Sequence, residues 1–179
     1  SIKRCVVPCA LSYGRVTFDD ANPLKAIKDL IDSPGIIGKP QISIAPQICA
    51  DASQLLPWQQ AKELANSVRN RINASDSPIT DNQLYEVLGL SKQEIETLTA
   101  PKGQKISLVS PTDNNNLNYH LRKNHPLARR FELARLLGDH LYYGSQDNNW
   151  LTSTDTRTSR QKFQRAFAAE FLLPLSGLE

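Results

Sequence analysis

The residues of this chain that could do chemistry fall into three sets. Cys5, Cys9 and Cys49 are its thiols and His120, His125 and His140 its imidazoles. Two basic clusters, one of His120, Arg122, Lys123, His125, Arg129 and Arg130 and a later one of Arg157, Arg160, Lys162 and Arg165, gather positive charge. An odd cysteine count without a C-x-x-C pair argues against a disulfide framework and for a reducing, cytoplasmic setting. A zinc site built from Cys5, Cys9 and Cys49 would match no usual spacing and would lack a fourth ligand. No nucleophile elbow, Cys–His arrangement or glycine-rich phosphate loop stands out. The basic residues Arg122, Lys123, Arg129, Arg130, Arg160 and Arg165 could join into one patch for phosphates, with Trp150 or Tyr142 available for stacking on bases. Set against this, a charge run is ordinarily a solvated face, and a net charge of +3 does not by itself imply nucleic acid.

Such groups need a scaffold, and 179 residues at 40% apolar content can bury a core of one domain. The apolar runs are broken by charge or proline well short of the roughly 18 residues that span a bilayer, and no secretory signal is visible. The chain starts at Ser1, contains no methionine and stops at "LSGLE". It is therefore expected to be a piece of a longer protein.

The first fifty residues read as one or two short strands in "IKRCVVPCALSYGRVTF", then a short helix in "NPLKAIKDLIDSPG" with Asn22 as N-cap and Pro23 at its first position. The stretch "GIIGKPQISIAPQ" is punctuated by glycine and proline and suits an irregular or edge-strand connection. A boundary falls near residue 50. Residues 1–50 form a segment of unassigned role and residues 51–179 the main domain.

From "LPWQQAKELANSVRNRINAS" onward, Trp58, Ala61, Leu64, Ala65, Val68 and Ile72 recur at three or four residues and predict an amphipathic helix. A second helix follows in "ITDNQLYEVLGLS", started by Thr80 or Asp81 and ended near Gly89, and a third in "SKQEIETLTAP", where Ser91 and Glu94 have capping-box spacing. The pair resembles a helix-turn-helix in spacing only, since Glu94 and Glu96 would repel phosphate. "QKISLVS" and "NLNYHLR" alternate around "PTDNNN" and predict an antiparallel hairpin. A long helix over 126–143, with Phe131, Ala134, Leu137, Gly138 and Leu141 facing inward, a polar loop in "GSQDNNWLTSTDTRTS" and a final apolar helix in "RQKFQRAFAAEFLLP" complete the chain.

This order, with "ARRFELARLLGDHL" and then "QKFQRAFAAEFLLP", resembles the ImmA/IrrE-like (DUF955) metallopeptidase family over roughly residues 55–174. The resemblance implies an α+β, zincin-like fold, a small antiparallel sheet packed with several helices. It rests on the packing residues Phe131, Ala134, Leu137, Gly138, Leu141, Phe167, Ala168, Leu173 and Pro174. Active members carry H-E-x-x-H, whose histidines at i and i+4 bind zinc while the glutamate polarises the bound water, and a later glutamate completes the ligands. Laid onto this chain, the first histidine is Arg135, the general base Leu136, the second histidine Asp139 and the later glutamate Gln161. No metal ligand and no general base survives in type.

Rebuilding a site from His140 meets the wrong helix face, His120 and His125 precede the helix and could reach the site only from its mouth, and Asp139 with Glu170 meets the competing charge of Arg135. No catalytic residue, metal or cofactor is therefore expected. Arg135 and Asp139, at i and i+4, can pair with Gln161 as a third partner and stand in structurally for the metal; the alternative is a solvated helical pair of little energy. The resemblance implies a catalytically inactive, sensory or partner-binding domain of a bacterial, phage or stress-response regulator. A protein or peptide segment would add to the exposed edge of the hairpin at 105–122. The alternatives are a nucleic-acid-binding regulatory domain and a metallopeptidase with a rebuilt metal site. No membrane association is expected.

Overall fold

The computed structural model describes residues 23–43, 55–144 and 150–174. Among them six helices and four strands form a mixed α+β fold: α1 (Pro23–Ile31), β1 (Ile36–Gly38), α2 (Pro57–Arg71), α3 (Asp81–Leu88), α4 (Lys92–Thr97), β2 (Ser107–Pro111), β3 (Leu117–His120), α5 (Pro126–Tyr143), β4 (Leu151–Ser153) and α6 (Ser159–Leu172). No described helix is long and apolar enough to cross a membrane. The cysteines, the opening strands, Asn22 and the boundary at residue 50 lie outside the described residues.

The strands make one antiparallel sheet in the order β1-β3-β2-β4. β2 and β3 form the expected hairpin, with Val109 opposite Tyr119. The hairpin has no free edge, however, because β1 pairs with β3 and β4 pairs with β2. The expected strand addition at 105–122 is thereby corrected, since both outer sides of the hairpin are already filled by short strands of the same chain. β1 also ties a segment before residue 50 into the sheet of the main domain.

Alternation along the strands gives the sheet two apolar faces. Val109, Leu117, Tyr119 and Leu151 enter the main core with α2, α3, α5 and α6, whereas Leu108 joins Ile106 and Ile27 in a smaller cluster beneath α1. Helix α2 starts with Pro57 at its first position and its Leu56 N–H donating to Gln59 Oε1 at 3.0 Å. Its inward stripe is Ala61, Leu64, Ala65 and Val68, as the spacing predicts. Trp58 departs from it, being 52% exposed in the first turn, before the buried stripe begins.

Arg69 continues that stripe one turn beyond Ala65 and is fully buried. Its guanidinium donates to the carbonyls of Ala74, Ser75, Ser77 and Phe171, joining the turn after α2 to the last turn of α6. An arginine inside a helix stripe thus replaces solvent for carbonyls that a helix end and a turn would otherwise bury unpaired.

Helix α3 is capped by Thr80, whose N–H donates to Gln83 Oε1 at 2.9 Å, and stops at Gly89 with φ +62°. At that position a side chain would also meet the backbone of Lys39. The expected capping box at Ser91 is absent, because Ser91 makes no side-chain cap at the start of α4. The residue is exposed there, so solvent can satisfy both its hydroxyl and the first helical N–H groups.

Candidate functional site

Helix α5 decides what the interesting residues can do. Residues 132–139 are all buried, so the helix runs through the interior with neighbours on every side. Leu133, Ala134, Leu136 and Leu137 join the main core, and Gly138 admits the ring of Phe167 from α6. The close approach of α5 and α6 carries the polar residues on the same helix into the interior with the apolar ones. Arg135, Asp139 and Gln161 are 4%, 0% and 2% exposed, so the solvated-pair alternative does not hold.

The cluster forms with a different pairing from the one expected. Arg135 does meet Gln161, its Nη2 donating to Oε1 at 2.5 Å, and it also donates to Thr154 O at 2.7 Å and Gln164 Oε1 at 3.3 Å. Asp139, in contrast, is held by Arg160, whose Nε and Nη2 each lie 2.7 Å from one carboxylate oxygen. No Arg135–Asp139 ion pair forms among the described residues. The guanidinium of Arg135 turns toward β4 and the start of α6, and the fork of Arg160 matches both oxygens of Asp139. Arg160 in turn lies over the ring of Tyr143, 4.6 Å from its centroid.

The nearest carboxylate to Arg135 is Glu132, one turn earlier, with 3.8 Å between Nη1 and Oε1. Glu132 Oε1 also accepts from Arg122 Nε at 2.9 Å and from Ser153 Oγ at 3.0 Å. Arg122 continues outward to Asp155 through two hydrogen bonds of 2.8 Å. The result is an alternating chain of charges, Arg135, Glu132, Arg122 and Asp155, from the interior to the surface. Burial pulls the Arg135 pKa down to about 10, with Glu132 opposing the shift, so the side chain stays a cation at neutral pH. The hydrogen bond from Arg122 holds the Asp155 carboxyl below its usual range against the opposing effect of burial.

These groups also occupy the backbone of the edge strand. Thr152 O accepts from Gln161 Nε2 at 3.0 Å and Gln164 Nε2 at 2.8 Å, while Thr154 N–H donates to Gln161 Oε1 at 3.0 Å. With Thr154 O taken by Arg135, three backbone groups on β4 or just past its end are satisfied by side chains of α5 and α6. Glu132 and Gln164 are members of the cluster that spacing alone did not single out. Glu132 sits three residues before Arg135 and Gln164 three after Gln161, so helical neighbourhood was the signal available.

No family model matches the chain, and no curated protein and no solved structure is significantly similar to it. The chemistry therefore has to be read from the residues. Zinc needs neutral imidazoles, thiolates or carboxylates converging on one point. Here the first expected ligand position holds a guanidinium bound to the third, the general-base position holds the apolar, 1% exposed Leu136, and the second is a carboxylate already held by an arginine. These residues do not fit the metal. Among the described residues no group of three or more His, Cys, Asp or Glu is placed to hold one.

The rebuilt alternatives do not come together either. His140 points to a cavity beside the hairpin while Asp139 faces α6. Glu170 acts on Arg69 near the far end of α6 rather than on Asp139.

The basic patch is likewise corrected. Arg122 is paired with Glu132 and Asp155, and Arg130 with Asp81 and Ile79 O. Arg160 holds Asp139, and Arg165 donates to Thr156 O. Arg129 is 6% exposed and donates to the carbonyls of Lys123, Ile95 and Leu98. Guanidiniums spent on internal acceptors are not presented to phosphates, which leaves Lys123 without the cluster expected around it. Nor does the stacking pair survive, since Tyr142 packs on Phe163 and Trp150 covers the cluster beneath α1.

Proposed function

We propose that the chain is a catalytically inactive, zincin-like domain of the ImmA/IrrE type that serves as a sensory or protein-binding module of a cytoplasmic bacterial, phage or stress-response regulator. The observation that carries the reading is the seat of the Arg135 guanidinium. A buried cation hydrogen-bonded to Gln161 and Thr154 stands among the positions where the resemblance assigns a metal.

In this reading the guanidinium supplies the positive charge that ties α5, β4 and α6 together, and Gln161 and Gln164 supply the neutral acceptors. The general-base position is apolar, so no water would be polarised there. A partner of protein or peptide nature is favoured over nucleic acid by the internal use of the arginines and by the exposure of Leu55, Leu56 and Trp58 at the start of α2.

The test is the metal content of the chain, by elemental mass spectrometry after purification without chelator and again after zinc challenge and dialysis. The expected result is substoichiometric metal and no rise in Tm with zinc. Stoichiometric zinc surviving dialysis would overturn the reading.

A further inference from the structure

A cavity of about 680 Å3 opens between the hairpin, the exit of β1 and the last turn of α5. It shares no residue with the Arg135 cluster and stands or falls independently of the function proposed above. Val109, Leu117 and Leu151, all from the core face of the sheet, give it an apolar wall. Its polar groups are Lys39, His140, Asn116 and their loop neighbours, and no described residue lining it is acidic. Lys39 enters no ion pair among the described residues, so none of them cancels its charge. The size lies within the range of small-molecule sites, about 300–1,000 Å3, and an apolar wall with a few convergent polar groups is their usual composition.

His140 adds a specific donor. Burial lowers its pKa more than the neighbouring Asp139 raises it, so near neutral pH the ring is uncharged, one nitrogen donating and the other accepting. No hydrogen bond engages that ring among the described residues. Asp139 itself is turned away and neutralised by Arg160, so its carboxylate does not oppose a negative ligand in the cavity.

We propose that this cavity binds a small amphipathic anion, its acidic head taken by Lys39, His140 and Asn116 and its apolar body laid on Val109, Leu117 and Leu151. The charge of Lys39 sets the sign of the head group, and the wall sets the need for an apolar body.

Calorimetric titration of the full chain with octanoate and with octylammonium tests this, because the two probes share a tail and differ in the sign of the head. Octanoate is expected to saturate one site and octylammonium to bind about fivefold or more weakly. Lys39→Glu should reverse that preference, and Asn116→Asp should weaken octanoate alone. Both positions lie outside the main core, so unchanged circular dichroism and Tm can verify folding. Failure of octanoate to saturate, equal binding of the two probes, or indifference to Lys39→Glu would overturn the proposal.

Discussion

Arg160 grips Asp139 across the α5–α6 contact with two 2.7 Å hydrogen bonds, and the carboxylate it holds is wholly buried. Removing Arg160 would leave that carboxylate unpaired in the interior. A buried charge stripped of its partner costs about 3–5 kcal/mol, and because Arg160 is one-third exposed a value of about 2 kcal/mol is expected for Arg160→Ala. The double variant Arg160→Leu with Asp139→Leu should lose less than the sum of the single changes. Additive losses in a urea-unfolding double-mutant cycle would show the pair to be uncoupled.

Gln161 and Gln164 should matter to the sheet edge as much as to Arg135. With both changed to alanine, Thr154 N–H loses its acceptor and Thr152 O its two donors. The expected loss is about 2 kcal/mol, from buried polar groups left unpaired. Amide hydrogen exchange should show it locally, as a rise at Thr154 larger than that in the core of α2. An unchanged Thr154 amide would contradict this account of the edge.

Leu136→Glu restores one residue of the catalytic motif and should restore nothing of its chemistry. Leu136 is 1% exposed, so the new carboxylate would enter a packed interior with no metal ligand beside it. A fall in Tm, no zinc uptake by elemental analysis and no peptide cleavage are expected. Stoichiometric zinc in this variant would show that the neighbouring residues can rearrange into a ligand set.

Acid should weaken the fold before the carboxylates titrate. Burial lowers the pKa of His120, and of His140 despite Asp139, below their ordinary value of 6.5. In the window between the folded and unfolded values the unfolded chain binds more protons, so stability rises with pH there. It is fully present above about 6.5 and is lost as pH falls from that value through the lowered folded ones. Urea unfolding at about pH 7.5 and pH 5.5 should show the drop, and His120→Gln should reduce it. Superimposable curves at the two pH values would refute the prediction.

Gly138 of α5 lies directly against the Phe167 side chain of α6. A methyl group there would lie 3.0 Å from Phe167 Cβ and nearer still to its fully buried ring. Gly138→Ala should therefore destabilise by about 1–3 kcal/mol, although alanine is the better helix former. A higher Tm in this variant would mean that the ring has room to move.

The larger helices and the hairpin were readable along the chain, whereas β4 lies in a polar stretch that reads as a loop. The three-to-four spacing from Ala61 to Val68, the Thr80 and Gly89 signals, the alternation on either side of "PTDNNN" and the span of α5 are all local patterns, and local backbone preference decides them. Arg69 and Glu132 show where such patterns stop being sufficient. Both stand on inward stripes, yet a charged residue on an apolar stripe does not reveal which carbonyl or guanidinium will meet it.

The same limit governed the candidate site. Residues 135, 136, 139 and 161 could be marked from the sequence, and so could a contact of Gln161 with either Arg135 or Asp139, of which the first forms. That Asp139 belongs to Arg160, that β1 and β4 cover the hairpin, and that the arginines of the supposed patch bond to acceptors of the same chain were decided only by tertiary packing. The physical reason is reach. Side-chain period fixes the face of a helix or strand that a residue occupies, but the partner of a long flexible head group depends on which other elements the fold brings alongside.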